Sequence, residues 1–135
     1  MFYKIKVNNT QIDERGKEHQ KIITYLTDAT NFGEAGYKVI NLIGTVQNEV
    51  EDVCLMKTLR ELVNTKYSED NKLFIVKIAE DVMQQDGTMK TIKYTLAAFA
   101  NDSQSLQKIM EDYIKQGLEN MRLTTISETR WIYVD

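Results

Sequence analysis

Proline is missing from all 135 positions, and the chain has one cysteine, one histidine and one tryptophan. Without proline, no strand is interrupted at its N–H groups, so long continuous ladders can form. A lone Cys54 excludes an internal disulfide and with it the disulfide-built secreted scaffolds, which points to a reducing, cytoplasmic setting. A lone His19 leaves a histidine-based metal site without a second histidine or cysteine, so no metal and no cofactor are expected. His19 reads as a polar turn residue. Cys54 falls in a strand pattern, where a small hydrophobe is the usual role. No apolar run reaches the roughly 18 residues of a membrane helix, and the first residues lack a signal-peptide core. Basic excess is also missing: 17 Lys and Arg face 20 Asp and Glu, for a net charge of -3, so duplex DNA is not the default ligand. There is no G-x-x-x-x-G-K-[ST] phosphate loop, and Gly33 with Gly36 falls short of the three glycines of a dinucleotide fingerprint. The acidic run Glu49, Glu51, Asp52 reads as a solvated charged loop. These absences together argue against an enzyme.

What is present is a pattern that occurs twice. Tyr3-Lys4-Ile5-Lys6-Val7 aligns with Phe74-Ile75-Val76-Lys77-Ile78, and Gly16 with Gly87, at an offset of 71. With one residue dropped, an offset of 70 then matches Leu26 to Leu96, Asn31 to Asn101, Lys38-Val39 to Lys108-Ile109 and Arg60 to Arg130. Such recurrence is the mark of an internal duplication.

Each copy reads as strand, strand, helix, strand. Tyr3, Ile5 and Val7 alternate with Phe2, Lys4 and Lys6, the period of a half-buried strand. Asp13 to Gly16 turns the chain, and Lys21 to Asp28 returns it. In the second copy Phe74, Val76 and Ile78 alternate with Leu73, Ile75 and Lys77, and Asp86-Gly87 is a strong hairpin turn. Asn31 followed by Glu34, and Asn101 followed by Gln104, have the spacing of a helix start. The spacing predicts helices over 32–43 and 102–116, stopped by Gly44 and Gly117. Last strands are expected near Glu51–Val63 and Arg122–Val134. Asn64 to Asn71 is the one clear linker. The expected architecture is α+β: a duplicated ββαβ unit (1–65 and 71–135) in one compact domain, an antiparallel sheet with both helices on one side.

The face of the sheet opposite the core carries the most suggestive feature. Phe2, Lys4 and Lys6 are expected to line up with Lys21, Ile23 and Tyr25, and Leu73, Ile75 and Lys77 with Lys93 and Thr95. Lysines interleaved with rings suit single-stranded nucleic acid, since cations follow phosphates and rings stack on bases. Arg60, Arg130 and Trp131 would extend the surface. The competing reading is that Ile23, Leu73 and Ile75 mean this face is buried, against the other unit or against another chain.

Three stretches add a resemblance. Phe2 to Val7, Tyr25 to Ala35 (Tyr-Leu-Thr-Asp-Ala-Thr-Asn-Phe-Gly-Glu-Ala) and Ile126-Ser127-Glu128-Thr129 resemble an uncharacterised family, a domain of unknown function, of gut Bacteroidota and their phages. Gly33 stands where that family often has threonine. The resemblance implies a bacterial or phage cytoplasmic setting and assigns no residue a role. The leading expectation is a non-enzymatic protein binding single-stranded nucleic acid. The alternatives are a phage or prophage interaction factor acting on a host or phage protein, and an oligomeric sponge for nucleotide signals. A homo-oligomer would cover sheet edges that otherwise stay open.

Overall fold

The computed structural model describes residues 1–117 and 120–135. It contains two helices and eight strands: β1 (Phe2–Ile12), β2 (Glu18–Asp28), α1 (Phe32–Ile43), β3 (Asn48–Leu55), β4 (Leu59–Leu62), β5 (Lys72–Met83), β6 (Met89–Ala100), α2 (Ser103–Gly117), β7 (Met121–Glu128) and β8 (Ile132–Val134). The α+β class holds. The strands form two four-stranded sheets, in the orders β3-β1-β2-β8 and β4-β6-β5-β7. Each sheet carries its own helix, so the two helices do not share one sheet.

The expected last strand of each half is two strands. Met56-Lys57-Thr58 separates β3 from β4, and Thr129-Arg130-Trp131 separates β7 from β8. The first member pairs antiparallel with its own half; the second joins the other sheet and runs parallel to its neighbour. β4 lies beside β6 and β8 beside β2. The sheets are therefore mixed, where an antiparallel arrangement is expected from the hairpins alone. The compact units follow this exchange: Met1–Lys57 with Trp131–Asp135, and Thr58–Arg130.

Pairings recur between the units with an offset of 71. Val7 pairs with Ile23 and Ile78 with Tyr94; Ile12 pairs with Glu18 and Met83 with Met89. A bulge interrupts β1–β3 after Lys6 and β5–β7 after Lys77, at the same step of each strand. No residue is dropped before the helices, as the offset of 70 requires. The buried helix residues confirm the spacing, since Ala35 and Val39 of α1 stand 71 before Leu106 and Met110 of α2. The shared topology supports a duplication.

Helix α1 starts and stops where its sequence directs. The Asn31 side chain accepts from the Glu34 N–H at 2.8 Å, and the Glu34 carboxylate reaches back to the N–H and hydroxyl of Thr30. Gly44 ends the helix at a φ of 80°, which favours glycine. In α2 the cap is Asp102, whose carboxylate accepts from the Ser105 N–H at 2.7 Å, and not Asn101. Gly117 is the last helical residue, and the expected stop after it lies outside the described residues.

Two cores result, one per unit. Tyr3, Ile5, Val7 and Tyr25 pack with Ala35, Val39 and Val134. Phe74, Val76, Ile78, Tyr94 and Leu96 pack with Leu106 and Met110. The exchanged β8 thus supplies Val134 to the first core. Asn64, in the expected linker, grips β6 as a strand would: its side chain donates to the Phe99 carbonyl at 2.8 Å and accepts from the Phe99 N–H at 2.7 Å.

Candidate nucleic-acid interface

The hairpin registers fix which side chains share the face opposite each helix. In unit 1, Lys4 pairs with Leu26 and Lys6 with Thr24 on β2, while on β3 they face Cys54 and Asp52. Tyr25 and Ile23 pair with Ile5 and Val7, on the core side. The expected alignment of Lys21, Ile23 and Tyr25 with the lysine face is therefore wrong by one residue. A one-residue slip moves every side chain of a strand to the other face. Tyr25 is a core residue at 6% exposure, and burial raises its phenol pKa. Lys21 pairs with Asn9, on the side of Tyr25, and is exposed. In unit 2 the expected alignment is right: Lys77 pairs with Thr95, and the neighbouring Ala79 with Lys93.

Burial then sorts the candidates. Phe2 and Leu73 are buried at 8% and 1% exposure, and Leu26 and Ala97 beside them at 0% and 0%. The apolar ends of both faces are thus closed, and exposure rises along each strand toward Lys6 and Lys77. Lys6, Lys77 and Lys93 are exposed, and Lys4 and Ile75 half-buried. Cations within about 6 Å of a ring are attracted to its face, and the Lys4 ammonium lies 5.5 Å from the centre of the half-buried Trp131 ring. Lys6 and Lys77 occupy equivalent positions, each just before its bulge. None of Lys4, Lys6, Lys77 and Lys93 forms an ion pair among the described residues.

Arg60 does not extend this surface. Its guanidinium lies 3.7 Å over the ring of Tyr94, a residue of the helix-side core. Glu61 beside it accepts from the Tyr113 hydroxyl, and Glu80 accepts from the Tyr94 hydroxyl at 3.1 Å. Burial, and then the Glu61 carboxylate, push the Tyr113 phenol up to about 12. This network ties β4 to α2 and β6. Arg130 is exposed on the connection between β7 and β8.

His19 sits near the tip of the first hairpin, 2.8 Å from Asp13. The His19 ring and the Lys17 N–H hold the Asp13 carboxyl below its usual range. Cys54 is exposed, not buried, because it points to the lysine side of edge strand β3. Among the described residues no group of His, Cys, Asp and Glu is arranged to hold a metal ion. No described helix is long and apolar enough to cross a membrane.

The profile of a domain of unknown function, DUF4494, covers residues 1–134. The chain belongs to the DUF4494 family. The resemblance to an uncharacterised family is thereby supported. No curated protein matches the chain.

One polar site escaped the sequence reading. Beyond the lysines, Asn8 and Thr10 of β1 line a cleft with Gln20, Gln47, Asn48 and Glu49. Its only trace in the sequence is that the lysine alternation of β1 gives way to neutral amides and hydroxyls after Lys6.

Proposed function

We propose that this DUF4494 chain is a non-enzymatic binding protein that holds single-stranded nucleic acid along its lysine-bearing sheet faces. The recurrence of Lys6 and Lys77 at equivalent, exposed, unpaired positions carries the reading. Lys4 and Lys93 stand beside them in their respective units. With Phe2 and Tyr25 buried, Trp131 is the only ring left among the expected contacts, so phosphate contacts dominate and base stacking contributes little. A net charge of -3 does not oppose this, because a ligand responds to the local field. The bacterial or phage cytoplasmic setting belongs to the same proposal.

The test is fluorescence anisotropy with a labelled oligothymidylate across salt concentrations. Each neutralised phosphate on a single strand contributes a slope of about -0.7 in log K against log salt, so two lysines of one unit give about -1.4 and four give about -3. Absence of binding at about 50 mM salt, where counterion release still favours it strongly, refutes the proposal.

A protein-interaction role is favoured by a different observation. Beyond Asn9 and Glu80 the third strands stop, and the two hairpins continue as two-stranded ribbons. Ile12, Val82, Met83 and Met89 are exposed there. Isolated ribbons are marginal in water. This reading predicts a co-purifying partner or a stable oligomer, with no oligonucleotide affinity.

A further inference from the structure

The cleft at the far end of β1 has a volume of about 260 Å³ and lies wholly within unit 1. Amides, hydroxyls and the Glu49 carboxylate line it, with no lysine or arginine among them. Asn8 Oδ1 is buried and accepts no hydrogen bond, while its Nδ2 donates to Gln20 at 3.3 Å. A buried acceptor without a donor is unfavourable and calls for a partner. The walls are preformed. Asn48 accepts from the Asn9 side chain at 2.7 Å and donates to the Ile43 and Gly44 carbonyls. Gln47 adopts a left-handed φ of 64°, and its carbonyl accepts from the Thr10 N–H at 2.8 Å.

Unit 2 shows what fills the equivalent place. Asn8 and Glu49 are paired in unit 1 as Ala79 and Arg122 are in unit 2, and Thr10 and Gln20 as Asp81 and Thr91 are. The bond from Thr10 to Gln47 recurs from Asp81 to Asn120. There the Arg122 guanidinium donates to Asp81 at 2.8 Å, and the Thr91 hydroxyl to the other Asp81 oxygen at 2.6 Å. The second unit supplies its own guanidinium. In the first, arginine is replaced by glutamate, the alanine by an asparagine whose oxygen is unmet, and space remains.

We propose that this cleft binds a guanidinium group from outside the chain, held by the Glu49 carboxylate and, once the half-buried Asn8 side chain turns toward it, by Asn8 Oδ1. A guanidinium brings five donors and no acceptor, and its planar fork matches a carboxylate. The one buried side-chain atom here without a partner, Asn8 Oδ1, is an acceptor, and the one charged group is a carboxylate. An anion would meet Glu49 and no cation. The lysine nearest along β1, Lys6, lies opposite Asp52. The site therefore takes the opposite charge to the lysine faces.

The experiment titrates the isotopically labelled full chain with N-acetylarginine amide at constant ionic strength, following the side-chain amide signals of Asn8 and Gln20. Saturable shifts at millimolar ligand, the range set by so small a contact, are expected. The neutral citrulline analogue should leave the signals in place, and Glu49→Gln should weaken binding at least about tenfold, the loss of a charge-assisted pair. Thr10→Asp with Glu49→Arg rebuilds the pair of the second unit, and should abolish the response while raising the melting temperature. A Gly-Ser-Arg-Ser-Gly peptide distinguishes the source: tighter binding than the amide indicates a protein side chain, equal binding a small molecule. Unmoved Asn8 and Gln20 signals, or an equal response to citrulline, overturns the proposal.

Discussion

If β8 completes the first core across the length of the chain, its removal from β2 should destabilise that unit by a calculable amount. Val134 is 6% exposed, and Thr27, fully buried, donates its hydroxyl to the Val134 carbonyl at 2.7 Å. Val134→Ala deletes two methyl groups from a closed core, which costs about 2 kcal/mol. Thr27→Val keeps the shape but leaves that carbonyl without its side-chain donor, which costs about 1–2 kcal/mol. The two residues are paired and hydrogen-bonded, so the double variant is set against a sum of about 3–4 kcal/mol, and its departure from that sum measures their coupling. That is a large share of a typical folding stability of about 5–15 kcal/mol, and should lower the melting temperature by about 10 °C. Urea unfolding followed by circular dichroism reads it. Ile132 of the same strand is 46% exposed, and Ile132→Ala serves as the control, expected within about 0.5 kcal/mol. If Val134→Ala and Thr27→Val are as mild as that control, β8 is not part of the unit and the exchanged topology is wrong.

Asn64→Ala should destabilise by about 1–3 kcal/mol, because it strips both backbone groups of Phe99 of their partner, and the same urea titration reads it. Gly87 turns the second hairpin at a φ of 86°, so Gly87→Ala should cost about 1 kcal/mol through strain alone, since a Cβ there would meet no atom within 4 Å. The carboxyls of Asp13, Glu34, Asp81, Asp86 and Asp102 are held below their ordinary values, chiefly by hydrogen bonds from His19, Thr30, Thr91, Thr88 and the Ser105 N–H respectively. Their contribution is present above the unfolded values of 3.8 and 4.5 and is lost as pH falls through the lower folded ones. The urea midpoint should therefore drop on acidification below pH 4.5, and less so in Asp81→Asn. For Tyr113 the sign reverses: with its phenol pushed up to about 12 from 10.0, it favours folding below pH 10 and loses that effect toward pH 12, as ultraviolet titration against Tyr113→Phe would show.

Local chemistry made α1 legible to the residue. Asn31, Glu34 and Gly44 act within a few positions of one another, and the helix ends where they place it. The cap of α2 was harder, since Asn101 and Asp102 both carry a capping oxygen; the offset of 71 set by the hairpins points to Asp102. Slipping the first hairpin by one residue had a physical source. Its turn carries several polar residues, and lysines fall on both strands, so the pattern alone does not fix which pairs with which. Only the core demand of Ile5 against Tyr25 decides it. The exchange of β4 and β8 could not be read locally, because it depends on parallel pairing with strands 35 or more residues away. The cleft was invisible for the same reason. Glu49 and Arg122 look like ordinary surface charges until the sheets place them in matching positions.

The central claim, that the sheet lysines engage a single-stranded polyanion, is tested most directly by oligothymidylate affinity in the wild type, in Lys6→Glu with Lys77→Glu, and in a charge swap at Glu18 on the exposed hairpin. Binding that weakens steeply with salt, collapses in the lysine double variant and persists in the Glu18→Lys chain is the result predicted. Equal affinity in all three proteins, or none in any, would contradict it.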